Sequence, residues 1–194
     1  MDSPYAAVEA TIAKRLRPAQ KSKYFLAVAS AHRHPDDALR HRLEHLFGSL
    51  EITGTVYSFS QFSDYYDAEL GGKVWKYLIG FETLLPSESL VEIKHRVERL
   101  QWETARSSAN GLAREFNLDP GYVNAWQMVL ATVKNRSHRL YLGEGVYGEV
   151  TLQFRKGEFH PLPWTYPDYR EAPVLLYAAY LRRRYLEQTT GSVG

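Results

Sequence analysis

Apolar residues recur along this chain with two alternating periods, and the switches between them mark out its elements. Lys23–Ser30 (KYFLAVAS) is a short, almost continuously apolar run of the buried-strand type. His34-Pro35-Asp36 then opens a helix, with proline at the first turn and acids beside the positive end of the dipole. Its stripe is Leu39, Leu43, Leu46 and Phe47, and Gly48 is a natural C-cap. Glu51–Phe59 reads as a second strand through Ile52, Val56 and Phe59. Lys73–Leu84 alternates, with Trp75, Tyr77, Ile79 and Phe81 on one face. Ser89 and Glu92 form a capping box ahead of Leu90, Ile93, Val97 and Leu100. Leu112–Leu118 is a fourth strand, closed by Asp119-Pro120-Gly121 as a type II turn, and Tyr122–Val133 favours a short helix over a strand.

That β-α-β-β-α-β order predicts a ferredoxin-like core. Two hairpins and a helix over Glu171–Gln188, with Val174, Ala178, Leu181 and Tyr185 on one stripe, follow it. The expected fold class is therefore α+β: a ferredoxin-like βαββαβ core extended by a C-terminal antiparallel β-meander and a terminal helix. The expected division is an N-terminal appendage at 1–22, a single α+β domain at 23–188 and a flexible tail at 189–194. Within the appendage Ala6, Ala7, Ala10, Ile12 and Ala13 give a weakly apolar helix ending near Pro18.

Alternation also sets the register of the hairpins. A three-residue loop Gly143-Glu144-Gly145 places Leu142 opposite Val146, Tyr141 opposite Tyr147 and Arg139 opposite Glu149. A turn at Lys156-Gly157 pairs Phe154 with Phe159 and Gln153 with His160. One face of the meander then carries Arg139, Tyr141, Tyr147, Glu149, Thr151, Gln153 and His160. Two readings of that face stay open. It is either a solvated surface, its Arg139–Glu149 pair giving a few tenths of a kcal/mol to ~1, or a site for an anion or a planar ligand.

Composition narrows the chemistry. The 194 residues are 44% hydrophobic and 24% charged with a formal charge of +2, ordinary for one globular domain and too weakly basic for a dedicated nucleic-acid binder. Cysteine is absent, which excludes disulfides, thiolate catalysis and Cys-ligated metals, and fits a reducing compartment. The longest clean apolar stretch, Tyr24–Ala29, is strand-sized, and the N-terminus has no apolar signal region, so the expected location is cytoplasmic. No P-loop, G-x-G-x-x-G, H-E-x-x-H or G-x-S-x-G is present. His41 and His45 lie one helical turn apart without a third ligand nearby in sequence, so no metal site is expected.

The candidate ligand contacts are Lys134 and Arg139 for an anion and Tyr141, Tyr147, Trp164 or Tyr166 for a ring, with Thr151 beside them. The catalytic candidates are Glu149, Asp119, Asp64 and His138 as acid–base or metal-binding groups. Each has a plainer role as a turn acceptor, helix cap or solvated charge. Pro163-Trp164-Thr165-Tyr166-Pro167-Asp168-Tyr169 reads as an aromatic lid over the sheet edge.

Several of these motifs, in order, resemble the prokaryotic domain-of-unknown-function 4416 family. They are Asn117-Leu118-Asp119-Pro120-Gly121-Tyr122, His138-Arg139-Leu140-Tyr141-Leu142-Gly143 and Gly145-Val146-Tyr147. Glu149-Val150-Thr151-Leu152, the Pro163–Tyr169 segment and Asp64-Tyr65-Tyr66 followed by Glu69 and Gly71 complete the set. The likeness runs from Lys23 to about Leu186. It implies no established activity, cofactor or site; members often carry a GTP-binding label, yet this chain has neither a P-loop nor an N-K-x-D motif. The expected function is binding of a phosphorylated or nucleotide-like small molecule on the polar, aromatic sheet face. An RNA-binding module and a non-catalytic protein-interaction domain are the alternatives.

Overall fold

The computed structural model describes residues 5–15, 20–108 and 111–190. The chain order is α1 (Ala6–Arg15), β1 (Lys21–Ser30), α2 (Asp37–Phe47), β2 (Leu50–Thr53), β3 (Tyr57–Ser58) and α3 (Asp67–Leu70). There follow β4 (Trp75–Pro86), α4 (Leu90–Glu103), β5 (Arg106–Ser108), β6 (Gly111–Ala113), β7 (Phe116–Val123) and β8 (Gln127–Thr132). The chain closes with β9 (Leu140–Gly143), β10 (Val146–Arg155), β11 (Glu158–Pro161) and α5 (Ala172–Thr190). Pro18, the expected end of the first helix, lies outside the described residues, as do residues 191–194; Thr189 and Thr190 are helical.

The fold is α+β. Among the described residues, nine strands form one antiparallel sheet in the order β11-β10-β8-β7-β1-β4-β2, with β3 beside β4 and β9 beside β10. β1 is central and buried on both faces, which is why its sequence reads as a continuous apolar run. Tyr24, Leu26 and Val28 point toward α2 and α4; Phe25 and Ala27 point toward α5. The sheet therefore separates two cores. Asp36 caps α2 through Leu39 N at 2.7 Å, and the helix buries Leu39, Leu43 and Phe47. On the other face α5 buries Val174, Tyr177, Ala178, Leu181 and Tyr185.

Local expectations are corrected at several points. Glu51–Phe59 is not one strand: it breaks at Gly54, where a side chain would meet the Tyr177 ring. Ser89 makes no capping bond, because Ser87–Ser89 winds into a 3-10 turn and Glu92 pairs with Arg96 instead. Asp119-Pro120-Gly121 is not a turn but the middle of β7, facing Ala27, Leu26 and Phe25 of β1. Pro120 is tolerated because β8 pairs with β7 only from Gly121 onward, leaving that edge free where the proline lacks its N–H. Gly121 is required by close approach, since a Cβ there would lie 2.3 Å from the Val129 carbonyl oxygen. Tyr122–Val133 is a hairpin rather than a helix: the Asn124 side chain accepts from the N–H groups of Trp126 and Gln127, an Asx turn.

The second expected hairpin forms in the expected register, Phe154 against Phe159 and Gln153 against His160. The first keeps Tyr141 opposite Tyr147, but its loop is the two-residue Glu144-Gly145, both at positive φ. Leu142 becomes the extra residue of a bulge, and Gly143 rather than Leu142 faces Val146. The meander continues the same sheet, because β10 also pairs with β8 over Tyr147–Gln153.

Candidate functional site

The site grows out of a seam in the sheet. β7 and β8 are paired over Gly121–Val123 and part beyond the Gly121–Leu130 rung. Helix α4 fills the opening with polar residues one and two turns apart, Lys94, Glu98 and Gln101, on the same side of the helix. Gln101 Oε1 accepts from the Leu118 N–H at 2.7 Å, taking the place of the missing strand partner. The Lys94 ammonium reaches Asp119 at 3.2 Å and Glu98 at 2.7 Å.

Beside the seam lies a cavity of about 370 Å³. Leu130 and Thr132 of β8 line it between Asp119 of β7 and Glu149 of β10. The segment Tyr166–Tyr169 and the loop carrying Phe59, Tyr65 and Tyr66 complete the enclosure. Its volume and mixture of aromatic and polar walls lie within the range of small-molecule sites. No group of three His, Asp or Glu among the described residues is placed to hold a metal.

Charges inside the cavity are paired. Lys76 bonds Asp168 at 2.7 Å, and Tyr57 donates to the same carboxylate oxygen at 2.8 Å. Arg114 forks onto both oxygens of Glu69 at 2.6 and 2.8 Å and donates to Asn117, which in turn donates to Asp119. Arg139 donates to Glu149 at 2.6 Å, to the Lys134 carbonyl and to the Tyr166 hydroxyl. His138 stands 3.2 Å from the same Glu149 oxygen and stacks on Trp164. Lys134 is different: its ammonium lies over the Tyr65 ring at 4.9 Å and forms no ion pair among the described residues.

These contacts move several protonation equilibria. Burial pushes the Asp119 carboxyl up, but Lys94, Lys76 and the Asn117 amide together outweigh it and hold the group below its ordinary value. Burial lowers the Lys94 ammonium, and its two carboxylate partners more than reverse that. The bond to Arg114 is the main cause holding Glu69 down. Burial, reinforced by Asp168, Asp119 and Glu149, drives the Tyr169 phenol far above its ordinary value, so it stays protonated. That hydroxyl has no hydrogen-bond partner among the described residues.

The sequence candidates separate into two groups. Lys134, Arg139, Tyr166, Glu149 and Asp119 line the cavity together. Asp64, His138, Tyr141, Tyr147, Thr151 and Trp164 do not. Thr151 is buried at a bulge in β10, and its carbonyl accepts from Thr165. Trp164 is pinned by its indole N–H to the Val150 carbonyl, so the Pro163–Tyr169 segment does form a lid. Tyr141 and Tyr147 pack on each other, ring centroids 5.3 Å apart, with Tyr141 in solvent. Asp64 is exposed and supplies a backbone turn to Asp67.

Sequence reasoning missed Lys76, Lys94, Arg114, Asn117 and Tyr169. Asn117 and Asp119 had a usable signal, because they share one face of a strand whose other face is Phe116 and Leu118. Reading Asp-Pro-Gly as a turn hid it. Lys76 and Lys94 carry no such signal, since a lone lysine in an amphipathic element ordinarily faces water.

A family model described as a domain of unknown function (DUF4416) matches residues 20–185. No curated protein and no solved structure matches the chain.

Proposed function

The chain belongs to the DUF4416 family, and from that premise we propose that it binds a phosphorylated or nucleotide-like small molecule in the cavity beside the β7–β8 seam. The cavity itself carries the reading: a partly enclosed space of about 370 Å³ with aromatic walls and convergent polar groups. Tyr65, Tyr66 and Tyr166 offer ring faces, Asp119 and Asn117 offer hydrogen bonds, and Lys134 offers an uncommitted cation. The ligand site moves inward from the open sheet face, because Arg139 is already held by Glu149 and Tyr166. The strand order β7-β1-β4-β2, with α2 and α4 on one face, supports a ferredoxin-like description of the core. Absence of cysteine supports a cytoplasmic location.

A thermal-shift panel of nucleotides and sugar phosphates tests the proposal. Ligand at a hundredfold excess over its Kd should add about 2.7 kcal/mol of stability. Asp119→Ala should cut the shift to about half or less. A panel in which no compound raises Tm removes the reading.

RNA binding on a sheet platform has less support, since helices pack on both sheet faces. A protein-interaction role is favoured by one observation, the solvent-facing Leu140, Tyr141 and Leu142 of β9. Light scattering of wild type and Leu140→Glu over a range of concentrations addresses it. A constant monomer mass in both removes self-association through this surface.

A further inference from the structure

We infer that the inner end of the cavity holds an uncharged, hydroxyl-bearing part of the ligand, such as a sugar ring, while the phosphate stays at the Lys134 side. The inference rests on the ligand-binding reading above and adds the ligand's orientation and chemical class.

Charge balance is the first reason. Lys76, Lys94, Arg114 and Arg139 already face Asp168, Asp119, Glu69 and Glu149 respectively. A phosphate driven among them would meet carboxylates with no unmatched cation to receive it, in a setting where such repulsion is weakly screened. Lys134 is the cavity-lining cation with no ion pair among the described residues, and its ammonium is held only over a tyrosine face. An anion placed there gains an unopposed charge.

Hydrogen-bond chemistry is the second reason. Asp119 lies deep in the fold, yet its side chain is 35% exposed, and Asp119 lines the cavity. As a carboxylate it can only accept, so what meets it must donate. Tyr169, which itself lines the cavity beside Asp168, Asp119 and Glu149, presents the opposite need: its hydroxyl is buried and has no hydrogen-bond partner among the described residues. A protonated phenol without a partner is a free donor, and leaving it unmet is costly. One class of neutral group satisfies both demands at once. An alcohol donates to the carboxylate and accepts from the phenol, and neighbouring alcohols on a sugar do so without bringing charge.

Titration calorimetry on the full chain separates this inference from the reading beneath it. The probes are ribonucleoside monophosphates, their dideoxy counterparts, a pentose phosphate and inorganic phosphate. Wild type should bind the hydroxylated nucleotides about tenfold or more tightly than the dideoxy forms, the worth of one hydrogen bond to a charged group. That preference should collapse in Asp119→Asn and shrink in Tyr169→Phe, a change of one atom that leaves the ring in place. Lys134→Met should weaken all phosphorylated probes alike and leave the preference intact. Equal affinity for hydroxylated and dideoxy nucleotides would overturn the orientation while binding itself stands. A preference unchanged in both Asp119→Asn and Tyr169→Phe would do the same. No heat with any probe would overturn both ideas.

Discussion

Arg139 and Glu149 show how far burial changes the meaning of one pair. As a cross-strand contact on a wet face, it contributes under ~1 kcal/mol. In the fold their side chains are 4% and 1% exposed, and Arg139 also ties down Lys134 and Tyr166. Removing one partner of such a pair strands the other charge in a poorly solvated place. Arg139→Ala should therefore cost about 3–5 kcal/mol, read as a fall in the urea midpoint. Tyr169→Phe should behave in the opposite way. It deletes a buried hydroxyl that has no partner among the described residues, so the ligand-free chain should hold its stability or gain up to about 1 kcal/mol in the same assay. The Arg139–Glu149 and Tyr141–Tyr147 pairs were legible because alternation fixes which residues share a face. The burial of the first pair was not, because Tyr166, which covers it, folds back from a position 27 residues beyond Arg139.

Among the elements, turn chemistry read from sequence succeeded where the turn was local and failed where tertiary pairing overrode it. Lys156-Gly157 turns as expected, since positive φ at both positions suits the twist of the flanking strands. Asp119-Pro120-Gly121 has equally good turn residues, yet β1 pairs with all three. What the glycine supplies there is room, with Phe25 on one side and Val129 on the other. Gly121→Ala should force those neighbours apart and cost about 1–3 kcal/mol, measured as a lowered Tm. An unchanged Tm would show that the backbone can spread at that rung without penalty. Tyr177 is a comparable device on α5. Its hydroxyl accepts from the Gly80 N–H and donates to the Ile52 carbonyl, bridging the gap where the β2–β4 ladder is irregular. The positions of α2, α4 and α5 were legible from apolar stripes. Their polar insertions into the sheet, such as Gln101, were not, because periodicity reports which face is apolar and says nothing of what a polar residue meets.

For the whole molecule, two cores back to back make α5 a structural layer rather than an appendage. It covers Phe25, Ala27 and Leu78, so truncation after Glu171 should leave a chain with helical far-UV signal but no fixed aromatic near-UV signal. Acid should also act globally. The native chain holds Asp119 and Glu69 below their ordinary values, so the unfolded chain takes up protons first as pH falls. The stability that these groups contribute is complete above roughly pH 4 and is lost as pH drops through their lowered native values. Thermal melts across that interval should show a decline that Asp119→Asn makes shallower. An identical acid limb in the variant would show that Asp119 is not a principal proton-linked group. The α+β class and the elements β1, α2, β4, α4 and α5 were readable because each buries a regular apolar pattern, whereas β2 and β3 read as one strand and α3 as a loop. The cavity was not, since it exists only where two strands diverge and a helix from the other layer fills the gap.

That divergence has a kinetic side. Among the described residues the β7–β8 ladder has three positions, Gly121–Leu130, Tyr122–Val129 and Val123–Met128, and through it the β8–β11 half of the sheet joins the half built on β1 and β4. A join that short can breathe without either half unfolding. Amide hydrogens along it should exchange with deuterium faster than those of the β1–β4 ladder, and a compound lodged beside it should slow that exchange. Occupancy would then be readable from the backbone itself, before any chemistry of the ligand is known.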